Sequence, residues 1–325
     1  MGRKDIDLMW DRQTRHNINQ NFTELYTWLN NLVLNKGDSN PEVVQARGDF
    51  DLLYKRFDNM EALIENNKQS IDIKTEAIDE KISHSNFDTE VIAHRGFDGL
   101  YPENTLYSAR RSAEQGASLE FDIRFTADGA PVIIHDPSVN RTTDGTGNVV
   151  DLTLDMIKSF DAGSYFSSRF EGLRIPTLEE YLSAIQATPY IYPDFKHFRN
   201  SDDLEMVVRM LITYGFENRC TLQLSPSNNF QTNVDTIRSI TKEMKIGASC
   251  GNQGQVDTAL PVLINDRNGA IVCDKSLATP ENLQITRENG LDFAIATITS
   301  QQEFSNFIKQ GYNKIMTTEI TEVQY

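Results

Sequence analysis

Two histidines, three carboxylates and two cationic side chains stand where they could act together. Glu120 and Asp122 are two apart in SLEFDIRFT, and Asp194 and Lys196 are two apart in YIYPDFK. Side chains two apart on a strand share a face. Carboxylates gathered on an inward face are tolerated when a cation neutralises them, so Glu120, Asp122 and Asp194 read as ligands of a hard divalent ion, Mg2+ or Ca2+, which prefers oxygen donors. His94 closes VIAHR and His135 closes PVIIHD. Imidazoles titrate near neutrality and suit the taking and giving of a proton. Arg95 and Lys196 offer fixed positive charge to an anionic oxygen. The set describes cation-assisted acid–base chemistry on an anionic substrate. His16, His84 and His197 read as ordinary surface histidines, and Arg141, Thr142 and Thr143 as a structural turn before Asp144-Gly145.

These residues need a scaffold that delivers strand ends to one place. From Val91 onward, runs rich in Val and Ile alternate with helical stretches: strands at VIAHR, SLEFDIRFT, PVIIHD, YIYPDFK, CTLQLS, KIGASC, GAIVCD, LDFAIATI and NKIMTT, with helices over 105–115, after Thr177, and over 201–214, 231–243, 280–289 and 301–309. The link ADGAP is too short for a parallel crossover, so PVIIHD must fold back on SLEFDIRFT as a hairpin that turns at Asp128-Gly129. Eight parallel strands remain, the number in a (β/α)8 TIM barrel, whose chemistry lies at the C-terminal strand ends. The hairpin brings His135 back toward that mouth.

Composition narrows the partners. The 325 residues carry a formal net charge of −16, with 39% hydrophobic and 24% charged residues. That is the profile of a folded domain repelled by polyanions, and it argues against nucleic-acid or anionic-membrane binding. No apolar run approaches a membrane span and MGRKDIDLMWDRQ lacks the apolar core of an export signal, so a soluble protein is expected. Cys220, Cys250 and Cys273 are widely spaced and read as buried thiols rather than as a disulfide or zinc framework.

The segments VIAHRG, YPENT, LEFDIRFTADG, VIIHD with RTTDGTG, and IPTLEE, in this order, resemble the signature of glycerophosphodiester phosphodiesterases. The resemblance covers residues 91–325 and implies a TIM barrel with a divalent cation. It makes His94 and His135 the catalytic pair, Arg95 a phosphate contact, Glu120, Asp122 and Asp194 the metal ligands, Glu103 the functional acid of the PENT segment and Lys196 a substrate-binding cation. Two departures stand out. Asp194 occupies a position usually held by Glu, and the late strand ends differ: Ala296-Thr297-Ile298-Thr299 stands where a substrate-facing aromatic is expected, and Thr317-Thr318 where Thr-Asp is usual.

Residues 1–90 form a second region. Ile18, Phe22, Leu25, Leu29 and Leu32 follow helical spacing, and Phe50, Phe57, Ile64, Ile71 and Ile78 recur every seven residues as a coiled-coil seam, with an amphipathic helix packed on the chain's own catalytic domain as the alternative because Asn67 and Lys74 interrupt the d positions. RQTRHNINQNFTELYTWLNNL and NPEVVQARGDFDLLYKRFDNME resemble helical attachment segments of phage tail or baseplate proteins. The two resemblances together imply a homotrimeric, virion-borne enzyme that cuts glycerol-phosphate teichoic acid. A cytoplasmic enzyme on small glycerophosphodiesters, a phospholipase D-like enzyme and a non-catalytic teichoic-acid-binding tail adhesin are the alternatives.

Overall fold

The computed structural model of the chain describes residues 89–319 apart from Asn228; the expected attachment helices and the seam from Phe50 to Ile78 lie outside the described residues. In chain order the elements are β1 (Glu90–Ala93), α1 (Leu106–Glu114), β2 (Ser118–Phe125), β3 (Pro131–Ile133), α2 (Leu154–Ser159), α3 (Leu178–Ala184), β4 (Ile191–Phe195) and α4 (Ser201–Thr213). There follow β5 (Thr221–Leu224), α5 (Phe230–Ile240), β6 (Lys245–Cys250), α6 (Gln253–Asp266), β7 (Gly269–Asp274), α7 (Pro280–Glu288), β8 (Asp292–Ile298), α8 (Gln301–Lys309) and β9 (Lys314–Thr317).

Among the described residues eight strands pair in parallel, and β1 closes the ring by pairing with both β2 and β9. The remaining strand, β3, runs antiparallel to β2, with Ile133 opposite Ile123 and Pro131 opposite Phe125. The hairpin expected at ADGAP therefore forms. Its turn is fixed by the Thr126 N–H to the Ala130 carbonyl and the Gly129 N–H to the Thr126 carbonyl, both 3.0 Å. Gly129 takes a φ of 86°, which a side chain would oppose. The sequence reading does not include α6, where Pro261 falls inside the helix; that residue lies on the exposed face, where its missing N–H costs least.

Alternation along each strand sorts the side chains. Leu119, Phe121, Ile123 and Phe125 of β2 point outward into the layer under the helices, where the Phe121 ring lies 4.7 Å from Tyr181 of α3. Thr177 caps α3 through a reciprocal bond pair with Glu180, and Thr105 caps α1 with Ser108. Inward residues stack in layers. The middle layer is apolar, with Ile92, Tyr192, Val272, Ala294 and Met316. Gly247 belongs inside because a Cβ there would sit 2.9 Å from Thr221 and 3.2 Å from Gln223.

The lower layer is ionic. Glu90 accepts from Ser118 Oγ at 2.6 Å, from the Tyr192 hydroxyl at 2.9 Å and from Lys314 Nζ at 2.6 Å, while Asp292 pairs with Lys245 and lies 3.7 Å from Lys314. Between β3 and α3 the chain makes a separate excursion with its own small core of Val132, Ile134, Val139, Val149, Leu152, Ile157, Ala162 and Ile175.

Charge pairing in that lower layer should matter to stability rather than to chemistry, because it lies at the end of the barrel opposite the C-terminal strand ends. Glu90→Ala leaves Lys314, Tyr192 and Ser118 without their shared acceptor and is expected to lower the unfolding free energy by about 1–3 kcal/mol in urea titration, with kcat of the folded enzyme unchanged. An unchanged midpoint would show that the layer is not cohesive.

Candidate active site

At the C-terminal end of β1 the backbone turns sharply: Arg95, Gly96 and Phe97 have φ of 47°, 82° and 61° in succession. For the two non-glycine residues this left-handed conformation costs about 1–2 kcal/mol each. Tertiary bonds hold it. The Arg95 N–H donates to Glu120 Oε2 at 2.8 Å, the Asn104 N–H to the Arg95 carbonyl at 3.0 Å, and the Asp98 N–H to the His94 carbonyl at 3.1 Å. Gly96 is required where the loop meets α1, because a Cβ would come 2.6 Å from Ser108 Oγ.

The parallel register places Asp122 of β2 directly beside Asp194 of β4, and Glu120 beside Tyr192. Glu120, Asp122 and Asp194 are buried, and one oxygen from each lies within 4.8 Å of the others. The shorter Asp194 thus reaches the cluster because its strand presents it alongside Asp122. Lys196 Nζ donates to Asp194 Oδ2 at 2.6 Å and lies 3.2 Å from Asp122 Oδ1; Ser249 Oγ approaches Asp194 Oδ2 at 3.3 Å. Asn104 Nδ2 donates to Asp122 Oδ2 at 2.8 Å, and Arg95 Nε lies 3.4 Å from the same oxygen.

Charge in this layer is unevenly balanced. Burial and the neighbouring Asp122 push the Glu120 carboxyl up to about 8. Burial also raises Asp194, against the opposing pull of Lys196. For Asp122, burial acts upward but Lys196 and Arg95 outweigh it, so its carboxyl is held below the usual range. Asp122 Oδ1 is buried without a hydrogen-bond partner, since Lys196 approaches it outside hydrogen-bonding geometry. An orphaned carboxylate oxygen beside two buried carboxyls that resist ionisation is the donor set a hard oxygen-seeking cation fits. Softer metals are poorly matched, because all three donors are carboxylate oxygens.

The two histidines are built alike. His94 Nδ1 lies 3.0 Å from Asp98 Oδ2, and His135 Nδ1 lies 2.7 Å from Asp136 Oδ1, so each ring is anchored on one nitrogen. Burial works against a charged His94, but the bond to Asp98 and the carboxylates of Glu120 and Asp98 prevail, so its pKa is raised. His135 follows β3, where the Ile134 N–H donates to the Asp122 carbonyl at 3.0 Å and Arg124 Nε donates to the His135 carbonyl at 2.7 Å. The fold-back thus carries His135 to the carboxylate cluster.

Every residue singled out for chemistry therefore lies at one end of the barrel. Glu103 takes Arg95 Nη1 at 3.0 Å and is itself held through its N–H by the Tyr165 hydroxyl at 3.0 Å. The sequence reading of Arg141 as a structural turn needs correction. Its guanidinium bridges Glu103 and Asp136, with contacts of 2.6 and 2.9 Å to the first and 2.7 and 3.0 Å to the second. Asn104, read as a loop residue, likewise touches Asp122. Asp98 and Asp136 were findable by their spacing from the histidines, whereas Ser249 depends on strand register. His197 is exposed, the three cysteines are buried and free, and Ala296 stands half-buried on the inner face beside Asp274.

The family model described as Glycerophosphoryl diester phosphodiesterase family matches residues 94–249. A glycerophosphodiester phosphodiesterase of Caldanaerobacter subterraneus subsp. tengcongensis is 31% identical over 251 residues, 70% of this chain and 93% of the relative. One from Bacillus subtilis is 28% identical over 248 residues, 70% of this chain and 82% of the relative. Among solved structures, an Oleispira antarctica phosphodiesterase in complex with the product sn-glycerol-3-phosphate aligns at a TM-score of 0.63 and 25% identity, over 72% of this chain and 95% of that one.

The raised Glu120 carboxyl would make cation binding at the triad proton-linked. With burial and Asp122 pushing that carboxyl up to about 8, a cation ligated by Glu120 would displace a proton near neutrality, so affinity should rise with pH. Calorimetric titration with Mg2+ or Ca2+ near neutrality, in buffers of different ionisation enthalpy, is expected to report release of close to one proton per ion. Zero release would mean that Glu120 is already ionised or does not ligate.

Proposed function

The chain belongs to the glycerophosphoryl diester phosphodiesterase family and is a phosphoric diester hydrolase; from that premise we propose that His94 and His135 are its acid–base pair and Glu120, Asp122 and Asp194 its ligands for a divalent cation. The observation that carries this reading is the convergence of two Asp-anchored imidazoles on a buried carboxylate triad at the barrel mouth. Each histidine uses Nδ1 on its aspartate and so presents Nε2 to the reacting diester. One imidazole takes the proton of the nucleophile while the other returns a proton to the leaving alkoxide oxygen. Arg95 and Lys196 face the phosphate oxygens and offset the negative charge that grows there. A divalent cation held by Glu120, Asp122 and Asp194 would supply Lewis-acid neutralisation of the phosphate's negative charge. Glu103 holds the Arg95 guanidinium at the angle it needs.

We propose further that residues 1–90 are an attachment and trimerisation region and residues 91–325 the enzyme. The whole would be carried on a phage tail, where it would cut glycerol-phosphate teichoic acid. What supports this is the resemblance of the N-terminal segments to tail proteins, the heptad seam, and the match in linkage between that polymer and a glycerophosphodiester.

The test is turnover of sn-glycero-3-phosphocholine beside purified glycerol-phosphate teichoic acid, with and without EDTA. Chelation should abolish hydrolysis of both, the polymer should be the better substrate, and full activity after exhaustive chelation would exclude the cation role. His94→Ala and His135→Ala should each lower kcat by about 10²–10⁴-fold, and either one retaining the wild-type rate would lose its assignment. Light scattering of the full chain should give the mass of three chains; a monomer would defeat the assembly proposal.

A further inference from the structure

We propose that Arg141 is a positioning residue that locks His135 and Arg95 into one shared geometry by clamping the carboxylates of Asp136 and Glu103. The inference rests on the phosphodiesterase reading of this site but concerns a residue outside the set of ligands, phosphate contacts and imidazoles. The guanidinium makes two forks. Nε and Nη2 meet the two oxygens of Asp136 at 2.7 and 3.0 Å, and Nη1 and Nη2 meet the two oxygens of Glu103 at 2.6 and 2.9 Å. Four of the roughly five N–H groups that an arginine possesses are thereby committed to protein.

Each clamped carboxylate has a second task. Asp136 Oδ1 is the partner of His135 Nδ1 at 2.7 Å, and Glu103 Oε1 is the partner of Arg95 Nη1 at 3.0 Å. A carboxylate that binds one group only can rotate about its own axis and take the imidazole with it. When both its oxygens are fixed by a planar fork, the direction of its remaining lone pairs is set, and so is the ring that donates to them. The Arg124 bond to the His135 carbonyl fixes the backbone of that residue. Arg141 fixes the ring.

Surface ion pairs contribute little on average, and the Arg141 side chain is 46% exposed. Its partners differ from that average, because the Glu103 side chain is only 8% exposed and that of Asp136 24%. Arg141 also comes from the excursion with its own core, whereas Arg95 comes from the β1 turn. The clamp therefore ties two separately built segments together across the mouth. Lysine cannot replace it, since a single ammonium cannot form two planar forks.

The test pairs kinetics on sn-glycero-3-phosphocholine with a readout that does not need turnover. Arg141→Ala should lower kcat by about 10–100-fold with KM changed by less than about threefold, and Arg141→Lys should fall in the same direction. Added guanidinium ion should restore part of the Arg141→Ala rate and none of the Arg141→Lys rate. In 15N-histidine NMR the His135 Nδ1–H signal should be sharp and downfield in the wild type and be lost or shifted in both variants, with the His94 signal unmoved.

A kcat within about twofold of wild type in Arg141→Lys, or a loss confined to KM, would overturn the proposal. So would an unmoved His135 signal. If Arg141→Ala fails to fold, Arg141→Lys alone decides. If the wild type turns over no diester, the functional reading fails, and the NMR comparison still judges the clamp by itself.

Discussion

Like charge held in a dry place is the constraint on which the rest of this molecule depends. Three carboxyls share the upper layer of a closed barrel, and two of them are driven toward the neutral form by burial. Such a cluster persists because its surroundings are committed to it: Lys196 from just past the end of the strand that carries Asp194, Arg95 from the neighbouring turn, and the Asn104 amide on Asp122. The lower layer offsets charge with charge inside the protein, using lysines against Glu90 and Asp292. The upper layer leaves a carboxylate oxygen unclaimed. One end of the barrel is thus complete in itself, and the other is built to be completed.

The scaffold and the mouth are made by different rules. Strand register alone sets Asp122 beside Asp194, so that part of the site is as rigid as the sheet. The histidines and Arg95 sit on segments leaving the sheet, where hydrogen bonds must do what pairing does below. Hence the repeated device of an aspartate on each imidazole, and the left-handed run at 95–97 held from Glu120 and Asn104. The excursion after β3 has its own small core, which lets a long connection behave as a fixed wall.

How much of this was legible follows the same division. The alternation of Glu120 with Asp122 and of Asp194 with Lys196 gave their shared face directly, because a strand's period is two. The length of ADGAP forced the hairpin, and with it the count of eight parallel strands. The pairing Arg141 makes was not legible. Its partners lie 38 and 5 residues away, joined by a fold-back and an excursion with no periodicity, and beside Asp144-Gly145 it reads as turn chemistry. Asn104 was hidden for a similar reason, since its φ of 56° and its neighbours describe a loop before they describe a contact with Asp122. α6 went unnamed because a proline inside a helix is visible in sequence, while the solvent that tolerates it is not.

The ionic floor has a consequence for how a long substrate would be handled. With Glu90, Lys314, Asp292 and Lys245 joined beneath a plug of Ile92, Tyr192 and Met316, the barrel has no through-passage. A polymer cannot be threaded through it and cut link by link. A polymeric diester would lie across the rim and offer one linkage downward, so that the rest of its length would stay outside the barrel through every cut.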